Sequence, residues 1–399
     1  MSHQTDLGIA TILIGDVREQ LATLPDDSVQ CVVTSPPYWG LRDYKTGTWV
    51  GGDPTCPHTG RQKPRQDTTG AGEGHERFAA TRGNQPAKMY AIPVRRRCPC
   101  GAERVDAQIG LEETPQEYVQ TLIEVFREIR RVLRGDGTVW LNLGDSYQNA
   151  KGQSGGVDPK QPARRHGLRP NDVTIDGLKP KDLVGIPWRV AFALQADGWY
   201  LRCDNIWAKP NPMPDSTKDR PTRSHEYVFL LTRSKRYYYD ANAIREPYAA
   251  STLREVRDGY SGTATKDFDG AGAQNASSVK GRIIQGLRDK QAGHGRRAAG
   301  FNGRWESGGA VDHGGANRRS VWWISPKPYR GAHFATFPPE LVELCLKAGS
   351  AAGQLVLDPF AGSGTTGMVA VSLGRYPILI DLNPDYEPMM VERIAKVCT

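Results

Sequence analysis

Leu355-Val356-Leu357-Asp358-Pro359-Phe360-Ala361-Gly362-Ser363-Gly364-Thr365-Thr366-Gly367 decides the fold class of this chain. The first four residues are a short apolar run closed by an acid and a proline, the pattern of a buried strand stopped at its C-terminal end. A glycine-rich turn entering a helix follows, and Pro377-Ile378-Leu379-Ile380-Asp381 is the next strand, again ending in an acid. Upstream, Pro338-Pro339-Glu340 opens a helix through Leu341, Leu344 and Cys345. Strands and helices alternating in this way belong to an α/β fold with a parallel sheet. Sheets of that kind place ligands outside the C-terminal ends of their strands.

A strand, a glycine-rich turn, a helix and a second strand ending in an acid together bind a nucleoside-containing cofactor. Gly362 and Gly364 let the backbone approach the ligand, and Asp381 can accept hydrogen bonds from both ribose hydroxyls. Gly362, Gly364 and Gly367 satisfy G-x-G-x-x-G, so this unit taken alone also fits a nicotinamide enzyme. Asp358 before the turn and the Phe360 ring separate the two. A carboxylate at the strand end suits the cationic methionine moiety of S-adenosylmethionine better than a pyrophosphate.

The other end of the chain repeats the α/β grammar. Residues 9–14 form a short strand closed by Gly15-Asp16, followed by an amphipathic helix with Leu21 and Leu24 on its apolar face. Val29-Gln30-Cys31-Val32-Val33 is the next buried strand, and Thr34-Ser35-Pro36-Pro37-Tyr38-Trp39 follows it. The two prolines stop the strand and stiffen a loop with a hydroxyl on one side and an aromatic face on the other. A bare Pro-Pro-Tyr also occurs as a proline-terminated strand with a surface aromatic, so the loop's meaning depends on what accompanies it.

The chain has 399 residues, enough for a large core or two or three smaller ones, and a formal charge of +8. With a pI of about 9.1 it favours an acidic partner, nucleic acid first. No apolar run approaches the roughly 20 residues that span a bilayer, and the first residues lack a basic segment ahead of an apolar core. Seven cysteines, an odd number, argue for thiols or a metal site in a cytoplasmic protein rather than a disulfide framework.

Between the ends, residues 45–108 lose all periodicity, and a segment of that length is functional or disordered. Its ends carry Cys56-Pro57-His58 and Cys98-Pro99-Cys100. Cys56, His58, Cys98 and Cys100 are N/S ligands that could hold a tetrahedral zinc. Each pair is separated by one residue instead of the usual two to four, and ordinary reduced thiols are the competing reading. Thr114-Pro115 then caps a helix whose Tyr118, Leu122, Val125, Phe126, Ile129, Val132 and Leu133 share one face. Thr138–Leu143 is a strand, and Asp145 beyond it is either a site residue or a turn cap. A helix over Pro187–Ala196 follows. Tyr227–Leu231 and Arg236–Tyr239 read as a hairpin on either side of a turn. Residues 251–330 contain fourteen Lys/Arg and seven Asp/Glu, with Trp305, Trp322, Trp323 and Tyr329 interleaved. Basic side chains for phosphates with aromatics for bases suit a nucleic-acid groove; a solvated insert is the plainer alternative.

Thr34-Ser35-Pro36-Pro37-Tyr38 and Asp358–Thr366, in this order, resemble the amino-group DNA methyltransferases of the cytosine-N4/adenine-N6 family, in the permuted arrangement of the β group. Gly15-Asp16, His333–Pro338 and the run from Gly198 to Asp240 resemble further motifs of that group, so the matches cover about half of the chain. The resemblance implies a Rossmann-like, seven-stranded S-adenosylmethionine-dependent methyltransferase sheet with an inserted recognition region. Residues 1–44 and 109–250 would form the catalytic half and 331–399 the cofactor half. Residues 45–108 would be an insert and 251–330 the target-recognition segment.

By the same resemblance the adenine would lie near Asp16 and Phe360, the ribose on Asp381, and the methionine end near Asp358, Phe337 and Gly362, with Gly364 and Thr365 completing the loop. Ser35, Pro36, Pro37 and Tyr38 would act on the exocyclic amine of a base flipped from double-stranded DNA. Ser at position 35 resembles the cytosine-N4 members; adenine-N6 methylation is the alternative. A catalytically idle DNA-binding protein of the same fold is a reading of a different class. A homodimer and a restriction endonuclease partner are both compatible with the resemblance.

Overall fold

Parallel pairing brings the two ends of the chain together. The computed structural model describes residues 3–40, 44, 46–56, 98, 100–148, 177–215, 217–248, 315–326 and 337–398. In its first half these form β1 (His3–Asp6), β2 (Thr11–Ile14), α1 (Val17–Ala22), β3 (Val29–Thr34), β4 (Thr48–Val50), β5 (Glu103–Val105), α2 (Pro115–Val132) and β6 (Leu133–Leu143). Then come α3 (Ile186–Ala196), β7 (Tyr200–Ala208), β8 (His225–Thr232), β9 (Val321–Trp323), α4 (Pro339–Gly349), β10 (Leu355–Asp358), α5 (Thr365–Ser372), β11 (Tyr376–Asp381) and α6 (Glu387–Ala395).

Among the described residues the main sheet has nine strands in the order β1-β2-β11-β10-β3-β6-β8-β7-β9, and β4 pairs with β5 separately. β2, β11, β10, β3 and β6 are parallel to one another, and β8 runs antiparallel between β6 and β7. The seven strands from β2 to β7 are the methyltransferase sheet implied by the sequence. Two short edge strands extend it: β1, antiparallel to β2, and the three-residue β9, parallel to β7. At the seam between the chain's ends, Val356 pairs with Cys31 and Leu357 with Val32. Five parallel strands therefore end on one edge.

Strand alternation divides the core between two helical layers. Leu13, Val32, Leu141, Leu357, Ile378 and Ile380 pack with α1, α2 and α3 through Leu21, Phe126 and Leu194. Ile12, Ile14 and Leu379 face the other way, onto Met390 and Ile394 of α6. The longest helix among the described residues, α2, starts in a capping box in which Thr114 and Glu117 satisfy each other's backbone, with Pro115 in the first turn. Its apolar face from Tyr118 to Val132 is fully buried.

Two expectations change. Arg236–Tyr239 form no strand: β8 pairs with β7 instead, while Tyr238 N–H donates to the Asp136 carbonyl at 2.8 Å and Tyr239 stacks on Trp140. Trp322, expected among base-stacking aromatics, is 3% exposed and packs on Trp140 at 6.0 Å, because β9 joins the sheet; Trp323 beside it is exposed. Trp305 and Tyr329 lie outside the described residues. Residues 240–319 form a unit separate from the one built by 1–239 and 320–399. In the smaller unit Glu246 and Ala316 form a backbone bridge, and Arg319 Nε donates to Glu246 at 2.8 Å. No helix among the described residues is long and apolar enough to cross a membrane.

Candidate functional site

The glycine-rich turn between β10 and α5 is braced from below. Asp358, 1% exposed, accepts from Thr34 Oγ1 at 2.7 Å, Thr366 Oγ1 at 2.6 Å and the Phe360 N–H at 3.1 Å. Burial pushes its carboxyl up to about 6 against the partial relief of those hydrogen bonds. Both oxygens thus have protein partners, and Asp358 ties the loop to β3. Gly362 and Gly364 have φ of 52° and 75°. A Cβ on Gly364 would stand 2.9 Å from Met390 Cγ, so glycine is needed there for both its conformation and the space it leaves. Arg393 of α6 closes the outer side of the loop, donating to Ser363 Oγ at 2.6 Å, the Ser363 carbonyl at 3.1 Å and Thr365 Oγ1 at 3.0 Å.

Asp381 ends β11 beside this loop. It accepts one N–H on each oxygen, from Gly362 at 2.7 Å and Asn383 at 2.9 Å, and burial raises it to about 6. A carboxylate has further lone pairs for hydroxyl donors. Gly15 N–H donates to the Asp381 carbonyl at 2.9 Å, which places Asp16 at the same edge. Asp16 caps α1 and pairs with Arg18 at 2.7 Å. Phe360 is half-buried against the core, and Phe337 is half-buried directly before α4. His333–Thr336 lie outside the described residues.

β3 delivers the second set of groups to that edge. Trp39 is buried and its Nε1 donates to the Glu112 carbonyl at 3.0 Å; Tyr118 Oη donates to the Pro37 carbonyl at 2.9 Å. These bonds fix the proline loop to the segment leading into α2. Ser35 Oγ donates to Tyr38 Oη at 3.4 Å, and Tyr38 Oη donates to Glu226 Oε2 at 2.6 Å. Asn142 Nδ2 reaches Glu226 at 3.2 Å, and Lys209 pairs with the other Glu226 oxygen while lying 4.3 Å from the Trp207 ring centroid. Burial and the Glu226 charge hold the Tyr38 phenol well above its ordinary value, so it stays protonated.

Cys56, Cys98 and Cys100 come together where β4 and β5 close the base of the insert, their sulfurs all within 4.8 Å of one another. Cys56 Sγ is 3.6 Å from Cys98 Sγ. Backbone N–H donors, the largest contribution from Ala102, bring the Cys100 thiol down to about 6. His58, the fourth candidate ligand, lies outside the described residues. Asp145 is a cap: its Oδ1 accepts from the N–H groups of Ser146, Gly185 and Ile186 at 2.9–3.0 Å and so holds the start of α3.

Glu226, Lys209, Asn142 and Arg393 were not singled out in the sequence. Asn142 and Glu226 carried a signal, a polar residue inside or at the mouth of an otherwise apolar strand, which has to be paired when buried. Lys209 and Arg393 carried none.

A family model described as DNA methylase, for N6 and N4 enzymes, matches residues 29–392. The Type II methyltransferase M.Cfr9I of Citrobacter freundii is 37% identical over 98% of this chain and 90% of its own length. M.SmaI of Serratia marcescens is also 37% identical, over 98% and 93%. Among solved structures, the PvuII DNA methyltransferase, cytosine-N4-specific, aligns with a TM-score of 0.49 at 15% identity over 98% of this chain and 90% of that one. The full-length match, together with a proline loop and a glycine loop meeting at one sheet edge, means that the chain belongs to the N6/N4 DNA methylase family of S-adenosylmethionine-dependent DNA methyltransferases.

Proposed function

We propose that this chain methylates the exocyclic N4 amine of a cytosine flipped out of double-stranded DNA. The observation that carries the reading is the pairing of β3 with β10, which sets Ser35 and the glycine loop on adjacent strand ends. The residues present fit S-adenosylmethionine. Asp381 retains lone pairs for the ribose hydroxyls, and Gly362 and Gly364 present backbone with no side chain in the way. Asp16, Phe337, Asp358, Phe360 and Thr365 would complete the cofactor site from the same edge. The cofactor supplies a methyl group on a sulfonium, which needs an in-line nucleophile and leaves as a neutral thioether.

The chain's own residues prepare that nucleophile. The amine lone pair of cytosine is delocalised into the ring and attacks poorly. Ser35 Oγ and the Pro36 carbonyl accept its two N–H groups, which favours a pyramidal nitrogen with a localised pair. Pro37 keeps the loop rigid, and Tyr38 stacks on the base. Ser35 in place of an acid or amide supports cytosine N4 over adenine N6. Residues 251–330 supply target recognition, their excess of basic residues meeting DNA phosphates. The Cys56, Cys98 and Cys100 cluster, with His58, binds a structural zinc. Working on DNA, the enzyme acts in the cytoplasm as a methyltransferase that a restriction endonuclease can accompany; a homodimer is compatible with this.

Nucleoside mass spectrometry of duplex DNA treated with the enzyme and S-adenosylmethionine tests the assignment. N4-methylcytosine is expected. N6-methyladenine would move the target to adenine, and neither product would leave a DNA-binding protein without this activity.

A further inference from the structure

We propose that Glu226 is a positioning residue that sets the polarity of the Ser35–Tyr38 hydrogen-bond chain and thereby makes the pocket select an amine over a carbonyl. The inference rests on the amino-methyltransferase reading and names the residue that gives the site its preference for a donor.

The distances favour one arrangement of protons. An ionised carboxylate only accepts. Tyr38 Oη lies 2.6 Å from Glu226 Oε2, so its single proton points there; Asn142 Oδ1, at 3.1 Å, is the weaker acceptor of the two. With its proton committed, Tyr38 Oη can only accept from Ser35, whose Oγ is 3.4 Å away. Ser35 then has its own proton turned into the protein and its lone pairs turned outward. A serine hydroxyl is otherwise free to rotate and would serve a donor or an acceptor equally well. Lys209 Nζ and Asn142 Nδ2 both donate to Glu226 and hold it beside Tyr38.

The exposed lone pairs match an amino group and oppose a keto oxygen, which separates cytosine from uracil and adenine from hypoxanthine. Buried sites built for a hydrogen-bonded partner reject the analogue of opposite polarity strongly. The same chain can carry off the proton. As the new N–C bond forms and sulfur keeps the C–S bonding pair, the methylated amine becomes cationic. Its N–H proton passes to Ser35 Oγ while the Ser35 proton passes to Tyr38 and the Tyr38 proton to Glu226. The amine is left neutral and Glu226 protonated, to be emptied to solvent.

Glu226→Gln keeps the shape and lets an amide N–H face Tyr38, which reverses the chain. In full-length enzyme, single-turnover methylation of unmethylated plasmid DNA is expected to fall about 30- to 100-fold. S-adenosylmethionine Kd should stay within about twofold, because the network does not touch the glycine loop. In a Tyr38→Phe background, where the chain is already cut, the same substitution should change the rate less than about threefold. Once the modified position is mapped, the binding preference for a duplex with cytosine over one with uracil there should shrink about tenfold in Glu226→Gln; hypoxanthine replaces adenine if the target is adenine.

Independent, multiplicative effects of the two substitutions, or an unchanged base preference, would overturn the proposal. If Glu226→Gln loses cofactor binding, Glu226→Asp is read instead. It keeps the charge but lengthens the 2.6 Å contact, and a wild-type rate and preference there would overturn the proposal equally. Wild-type enzyme that forms no methylated amine would overturn the functional reading itself, which the variants cannot mimic.

Discussion

Thr34 Oγ1 and Asp358 Oδ1 lie 2.7 Å apart although 324 residues separate them in the chain. The bond joins the strand that leads into the proline loop to the strand that leads into the glycine loop. Asp358 holds Thr366 with its other oxygen, so one buried carboxylate fixes β3, β10 and the start of α5 together. On the proposed assignment of the two loops, this carboxylate helps to set the distance between them.

Asp358 should make the unliganded enzyme more stable as the pH falls. Its carboxyl titrates at about 6 in the folded protein, above the ordinary aspartate range, so the folded state binds this proton more tightly. Its contribution to stability is smallest above pH 6 and grows as the pH drops through 6 toward 4. Asp358→Asn removes that share of the slope. It also turns an amide N–H toward a threonine hydroxyl, lowering stability by about 1–3 kcal/mol at pH 7.5. Denaturant melts of both proteins at pH 5 and 7.5 measure the two effects; parallel pH profiles would contradict the assignment.

Asp381 predicts the opposite pH dependence for the ligand. To accept two hydroxyls it must be ionised, and its carboxyl titrates at about 6. S-adenosylmethionine affinity should therefore weaken as the pH falls below 6. Asp381→Asn should weaken it about 10- to 100-fold at pH 7.5 and flatten the pH dependence. Calorimetric Kd values at pH 5.5 and 7.5 check both.

The fold was legible because strand length and alternation leave little freedom. Leu355–Asp358 and Val29–Thr34 are short apolar runs with abrupt polar ends, and parallel α/β grammar follows from them. Asp358 was legible at its strand end, but its protein partners were not, because sequence shows a carboxylate and not the two threonine hydroxyls that fold onto it. Trp322 was read by the charges around it, whereas its packing on Trp140 depends on an edge strand of only three residues, too short to register as a pattern. Glu226 stayed hidden for a related reason: its partner Tyr38 is 188 positions away, and pairing over such a distance leaves no periodic trace.

Ser35→Ala and Tyr38→Ala should reduce turnover about hundredfold or more while changing S-adenosylmethionine affinity less than threefold. Neither residue belongs to the glycine-rich turn, and on the proposed assignment both act on the amine. Parallel measurement of kcat and cofactor Kd decides; equal losses in both would place the two residues against the cofactor instead.

Gly144→Ala tests the seat of the Tyr38 ring. A Cβ at position 144 would stand 2.5 Å from Tyr38 Cε2, and the ring cannot back away while its hydroxyl is held by Glu226. Turnover should fall at least tenfold with the fold and cofactor Kd retained. Glu226→Ala combined with Gly144→Ala should show less than the product of the two losses, since the first change already frees the ring.

Purified enzyme should contain about one zinc per chain. Three sulfurs within 4.8 Å would crowd negative charge if all were thiolates, and a divalent cation relieves that repulsion. A Cys100 thiol at about 6 is largely ionised at neutral pH, as a metal ligand must be. The cluster closes the base of the β4–β5 pair, whose two strands flank 52 intervening residues and bury little of their own. Cys56→Ser and Cys98→Ser should each lose the metal, and a chelator should make Cys56 and Cys98 open to alkylation. The nine-stranded sheet, with its own core, should keep its melting transition through that treatment. Metal analysis that finds none, with both thiols alkylated at once in untreated enzyme, would leave the cluster as three reduced cysteines.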